Sequence, residues 1–230
     1  MDINYKNYHR DESYKKLEKM FRNIFAKRME LIGRYLRYKK EGRVLDIGAS
    51  TGVFLDLFKE SGWETWGVEP SKGGDVAKKK GHRMLTSTFE NAKLPKNNFD
   101  LVILNHTLEH MDKPEAILKK VYEILKKDGL VFVDVPNAGG MGASLLGEKW
   151  PHRLPDEHKH QFTKESLTKI LGSAGFKVLH WESRSGIFEY KNPLLELGRK
   201  RFILDILTLP YSLLATALNI GDSMSFIAKK

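Results

Sequence analysis

Cysteine is absent from all 230 residues. Disulfides and cysteine–zinc sites are thereby excluded, and a reducing, cytoplasmic setting fits the composition. The apolar core of a signal peptide is missing too: the chain opens MDINYKNYHRDESYKK. Acidic residues are in deficit, 29 against 39 lysines and arginines, for a net charge of +10. Such a surface favours an anionic partner, whether phosphate, nucleic acid or an acidic membrane. The basic residues are spread along the chain, without the aromatic-rich basic motifs of common RNA-binding domains. A nucleic-acid groove is therefore not expected. Internal repeats and low-complexity segments are absent as well.

What is present alternates between strands and helices. Tyr14, Leu17, Phe21, Ile24, Phe25, Leu31 and Tyr35 recur at helical spacing and predict an amphipathic helix with a basic outer face. Apolar strands follow at 44–47, 63–68, 83–85, 100–104 and 130–135. Helices are expected at 53–60 and at 114–125, the latter opened by Pro114. A helix over 164–174, a strand over 176–182, an apolar helical region over 193–218 and a strand over 223–228 complete the pattern. Near-continuous apolar strands between amphipathic helices imply an α/β fold with a parallel sheet covered on both faces.

The stretch VLDIGASTGVFL ends a buried strand with an acid and turns on glycine. A dinucleotide fingerprint would need glycine at 50 and 53, where Ser50 and Val53 stand, so NAD is disfavoured. Glu69 closes the next strand in WGVEPS. Ligands of open parallel sheets sit outside the carboxyl ends of the strands, and a carboxylate there accepts hydrogen bonds from a ribose diol. The turn therefore suits a nucleoside without a required pyrophosphate.

VLDIGASTG, VEPS and FDLVILNHTLEHMDKPEAILKKVYEILKKDGLVFVDVPN, in that order, resemble the Rossmann-like (class I) S-adenosylmethionine-dependent methyltransferases. The resemblance runs over roughly residues 40 to 185 and the terminal strand. It implies a seven-stranded mixed sheet in the order 3-2-1-4-5-7-6, with the last strand antiparallel and helices on both faces. It also implies one methyltransferase domain over 1–230, with an N-terminal helical cap at 1–40 and an apolar helical insertion at 190–220. By motif, Asp46, Gly48, Ala49, Ser50 and Gly52 carry over to the methionine end of S-adenosyl-L-methionine. Glu69 and Pro70 carry over to the ribose. Thr88 and Phe89 stand where the family flanks adenine, often with an Asp, and Phe89 would stack on the ring. Asn105, ahead of HTLEHM, completes the cofactor set. The product would be S-adenosyl-L-homocysteine.

In HTLEHM, His106, Glu109 and His110 are spaced to share one face of a helical turn. His158 and His160 follow in DEHKHQFT. The set resembles the metal-dependent O-methyltransferases of ubiquinone synthesis and of small-RNA ends, whose pattern is Glu-x-x-Glu-His with a distant His. Here His106 replaces the first Glu. The expectation is that no metal is held, with His106, Glu109, His110 and His158 as the alternative set. His106 and His158 are the catalytic candidates, and His106 suits a general base for an oxygen acceptor near neutral pH.

The segment GEKWPHRLPDEHKHQFT is expected on the acceptor side. HKHQFTKESLTKILGSAGFKV resembles methyltransferases acting on bacterial envelope glycans, lipids or quinones. The expected reaction is O-methylation of a small-molecule, glycan or lipid-linked acceptor. The alternatives are a cofactor-binding regulatory or partner protein without turnover, and an RNA methyltransferase. Finally, FILDILTLPYSLLATAL is almost wholly apolar, broken by Asp205 and Pro210 and preceded by Arg199, Lys200 and Arg201. It is too short and broken to span a bilayer, and suits a lid, a dimer contact or a peripheral membrane-surface helix.

Overall fold

The computed structural model describes residues 17–36, 41–196 and 200–230. The strands are β1 (Arg43–Ile47), β2 (Glu64–Val68), β3 (Arg83–Leu85), β4 (Phe99–Asn105), β5 (Leu125–Pro136), β6 (Lys177–Arg184) and β7 (Ser223–Lys229). They form one seven-stranded sheet in the order β3-β2-β1-β4-β5-β7-β6. The first five pair in parallel, and β7 runs antiparallel to both β5 and β6. This is the strand order, with an antiparallel last strand, that the resemblance implied.

Period-two alternation sends neighbouring side chains to opposite faces of the sheet. Val44, Leu101, Ile103, Phe132 and Ile227 face one layer, built by α1 (Glu18–Gly33) and α2 (Val53–Glu60). Leu45, Val102, Leu104, Val131 and Phe226 face the other, built largely by α4 (Pro114–Ile124) and α6 (Lys164–Ser173). In α4, Pro114 lies in the first turn and Ile117, Leu118, Val121 and Ile124 make the buried stripe. In α6, the Thr163 hydroxyl accepts from the Ser166 N–H while the Thr163 N–H donates to the Ser166 hydroxyl. Such caps are worth about 1 kcal/mol.

The expected helix over 14–36 is α1, which runs from Glu18; Tyr14 lies outside the described residues. Its basic face needs correction, because Arg28 points inward and is buried with Phe25, Leu31 and Ile32. The expected strand at 130–135 begins earlier, at Leu125, and kinks at Asp128 (φ 65°) before resuming register with β4 at Leu130. The apolar region at 193–218 is not one helix. It is a short 3-10 turn (Pro193–Glu196) followed by α7 (Lys200–Leu207) and α8 (Leu209–Ala217). Pro210, in the first turn of α8, ends the preceding helix for want of an N–H. Between these parts lie the short α3 (Gly73–Lys79) and α5 (Met141–Leu146). No described helix is long and apolar enough to cross a membrane.

Candidate active site

The turn after β1 explains its own residues. Gly48 and Gly52 sit at φ of 80° and 78°, where glycine alone is unstrained. A β-carbon at 48 would lie 2.6 Å from the Thr107 hydroxyl, and one at 52 would lie 2.9 Å from Ala77 and from the His82 ring. Ser50 also has positive φ, at 45°, a conformation a non-glycine residue adopts only when its surroundings hold it there. What holds it is Glu69, whose Oε2 accepts from the Ser50 N–H at 2.8 Å and whose Oε1 accepts from the Ser71 N–H at 2.9 Å. The β2 carboxylate thus clamps the β1 turn. Beside it, burial and then the Glu69 charge push the Asp46 carboxyl well above the ordinary range. Pro70 follows Glu69 directly and is half-buried.

Phe25, Asp46, Gly48, Ala49, Phe54 and Asn105 enclose a narrow recess at this turn. Phe25 of α1 stacks on Phe54 of α2 at 4.7 Å between ring centres, so the N-terminal helix closes one side of the recess. Asn105 and Phe25 also line a second, larger space, a cleft of about 570 Å³. Met20, Phe21 and Ile24 give the cleft an apolar wall; Arg28, His106, Glu189, Tyr211 and Asp222 give it a polar one. The α7–α8 segment contributes Thr208, Tyr211 and Ser212. Asp222 holds that segment, accepting from the Tyr211 hydroxyl at 2.6 Å, and burial of the phenol, then the hydrogen bond and charge of Asp222, push it up to about 12.

His106 is the pivot of the polar wall. It does not share a helical face with Glu109 and His110, as the spacing suggested. Only Leu108–His110 are helical, as one 3-10 turn, and His106 precedes them at φ 50° with its N–H donating to the Asp134 carbonyl. That conformation aims its imidazole between two carboxylates. Nδ1 lies 3.4 Å from Glu109 Oε1 and Nε2 lies 3.4 Å from Asp134 Oδ1. Burial alone would lower its pKa, but the hydrogen bond and charge of Glu109 and the charge of Asp134 outweigh it and raise the value.

Asp134 lies near the end of β5 and is fully buried. Burial works against its charge, but Arg28, His106 and Arg184, with the Ser225 hydroxyl, hold its pKa down at about 2. The Ser223 hydroxyl donates to its Oδ1 at 2.8 Å. Arg28 reaches it from α1 and also pairs with the Glu189 carboxylate, donating to the Glu189 carbonyl at 3.0 Å.

Glu109, His110 and His158 form a second group under the cleft, their candidate ligand atoms all within 4.8 Å of one another. His110 Nδ1 faces the Glu157 carbonyl at 2.9 Å and His158 Nδ1 faces the His152 carbonyl at 2.8 Å. A carbonyl only accepts, so each Nδ1 carries a proton, and in the neutral form of each ring Nε2 is the lone-pair nitrogen. His110 Nε2 is buried with no hydrogen-bond partner among the described residues, and the buried Glu109 Oε1 faces His106 Nδ1 at 3.4 Å and His158 Nε2 at 4.0 Å.

The structure therefore gathers Asp46, Gly48, Ala49, Ser50, Gly52, Glu69, Pro70, Asn105 and His106 at the carboxyl ends of β1, β2 and β4. It does not gather all the others. Phe89, expected to stack on a ring, is instead a core side chain with the Lys120 ammonium over its face. Thr88 is half-buried beside it, its carbonyl accepting from Asn91 and Ala92. His158 is not among the residues lining the cleft; from the expected acceptor segment His152 is. Arg28, Asp134 and Glu189 were missed. Arg28 could have been found at its helical spacing from Phe21 and Phe25, and Asp134 as an acid inside VFVDVP.

Known proteins bear on this arrangement. A family model described as a methyltransferase domain matches residues 17–181. A ubiquinone biosynthesis O-methyltransferase of Bradyrhizobium sp. (strain ORS 278) is 29% identical over 142 residues, 56% of this chain and 56% of that protein. The match thus spans little more than half the length of that relative. The C-methyltransferase NovU of Streptomyces niveus is 28% identical over 142 residues, 59% of this chain and 33% of that one. Among solved structures, a SAM-dependent methyltransferase from Archaeoglobus fulgidus superposes with a TM-score of 0.64 at 25% identity, covering 94% of this chain and 99% of that one. With the matched domain, the sheet order and the glycine turn in agreement, the chain belongs to the methyltransferase-domain family and carries its S-adenosylmethionine-dependent fold.

Proposed function

We propose that this chain methylates an oxygen of a small acceptor seated in the 570 Å³ cleft, with His106 as general base. One observation carries the reading: the recess at the β1 turn and the cleft share Phe25 and Asn105, with His106 next along the cleft wall. The cofactor supplies the methyl group as a sulfonium and leaves as S-adenosyl-L-homocysteine. In this reading the backbone of Gly48, Ala49, Ser50 and Gly52, with Asp46, surrounds its methionine end. Glu69 accepts from the ribose hydroxyls while keeping its two backbone bonds, since each carboxylate oxygen has two lone pairs. Thr88 stands on the adenine side. Phe21, Ile24 and Phe25 press on an apolar or ring face of the acceptor. His106 takes the acceptor proton as the oxygen attacks, and Glu109 and Asp134 hold the resulting imidazolium. The enzyme's main contribution is alignment of donor and acceptor.

The O-methyltransferase relative supports oxygen, and the C-methyltransferase relative marks the competing outcome. The test is formation of S-adenosyl-L-homocysteine by the purified chain with phenolic, glycan and quinol-type acceptors. Cofactor binding with no product from any of them would favour a regulatory protein.

A second reading concerns a metal. Glu109, His110 and His158 converge within 4.8 Å of one another and His110 Nε2 has no hydrogen-bond partner among the described residues, so the three fit a divalent ion, for which Glu109 would exchange its ion pair with His106. Neutral imidazoles with one carboxylate suit zinc or a similar transition ion better than magnesium. Such an ion would lower the pKa of an acceptor hydroxyl. Cobalt titration checks it: d–d bands that vanish in His158→Ala support the site, and their absence in the wild-type chain rejects it.

A further inference from the structure

The helices α7 and α8, separated by Thr208 alone, show two faces with different chemistry. Inward, Thr208, Tyr211 and Ser212 line the cleft. Outward, Ile203, Leu204, Ile206 and Leu207 stand in solvent, as do Leu213, Leu214 and Leu218 on α8. Ile203 is 63% exposed and Leu207 is 71% exposed, where a folded chain normally hides such side chains. Leu194 and Leu195 of the preceding turn extend the patch at 69% and 67%. Scattered exposed leucines need no explanation, but so many on two consecutive helices mark a docking surface.

We infer that this surface rests on an anionic membrane. Charge selects that occupant. Lys200 and Arg201 are the first two residues of α7, and the chain carries +10. Basic residues beside an apolar helix face are the composition of helices that lie in a bilayer interface. Anionic headgroups attract that charge, whereas a second copy of the chain would bring +10 against +10. The helices are too short to span, so the contact is peripheral. Because residues of the same two-helix segment line the cleft, docking sets the acceptor entrance at the lipid surface. The inference concerns the outer face alone and does not depend on which acceptor is methylated.

Co-sedimentation tests it, using phosphatidylcholine vesicles with and without phosphatidylglycerol. The chain should pellet with the anionic vesicles and stay in solution with the neutral ones. Pelleting should fall steeply in about 1 M salt, where the screening length is about 3 Å. The double variant Leu207→Glu, Leu214→Glu should lose pelleting while keeping its melting temperature and S-adenosyl-L-homocysteine binding. If that variant misfolds, Lys200→Ala with Arg201→Ala replaces it and should weaken partition about tenfold. Wild type left in the supernatant with anionic vesicles overturns the inference. So does pelleting that neither variant changes, or a wild-type dimer in sedimentation velocity that Leu207→Glu dissociates.

Discussion

Arg28 Nε lies 3.3 Å from Asp134 Oδ2, with both side chains sealed from water, joining the N-terminal helix to the end of β5. A buried pair of this kind contributes little against an apolar replacement of both partners, but removing one partner leaves the other charge stranded. Arg28→Met should therefore destabilise the fold by about 3–5 kcal/mol, read by urea unfolding. A single variant as stable as wild type would show that the pair is not closed in solution.

Stability should also depend on pH through Asp134. Its folded pKa is depressed to about 2, so its contribution is present above the ordinary carboxylate value and lost as pH falls through the folded value. Unfolding free energy should then drop between about pH 4 and pH 2, and drop less in Asp134→Asn. His106 acts in the opposite direction. Its folded pKa is raised, so its contribution is complete below the ordinary histidine value and fades as pH rises through the folded one. Equal acid sensitivity in wild type and Asp134→Asn would assign the loss to other carboxylates.

Glu69 performs two tasks in the proposed site, clamping the turn and meeting the ribose. Glu69→Ala should weaken S-adenosyl-L-homocysteine binding by roughly 1.5–3 kcal/mol, the scale of a hydrogen bond to a charged group. Glu69→Gln keeps an acceptor oxygen and should lose less. Unchanged affinity in the alanine variant, by calorimetry, would remove Glu69 from the cofactor site.

For His106 the readout is turnover. His106→Ala should lower kcat by about 10²-fold or more with cofactor affinity kept. Only the neutral imidazole accepts a proton, so the wild-type rate should rise with pH through a pKa above the ordinary histidine value. Glu109→Gln removes a charge that raises that pKa and should move the rise to lower pH. A flat pH profile, or a variant as fast as wild type, would leave His106 as a structural bridge.

Much of this was legible in the sequence because the signals are local. Val44 and Leu45, or Leu101 to Leu104, need both faces of a sheet covered, and that pattern alone calls for parallel strands with helices on either side. Gly48 and Gly52 declare a turn that no side chain could make, and Asp46 and Glu69 declare polar strand ends. The strand order came with the family resemblance. What only the tertiary structure decided are relations between segments far apart in the chain. His106 spaced from Glu109 reads as one helical turn, yet its positive φ turns the ring toward Asp134 on another strand. Phe89 reads as an exposed aromatic near a nucleoside, yet it fills the core. Arg28 reads as one more surface cation, yet burial beside Asp134 and Glu189 makes it the hinge of the cleft wall. Periodicity records which face of an element is apolar; which charges meet across two elements depends on how those elements pack.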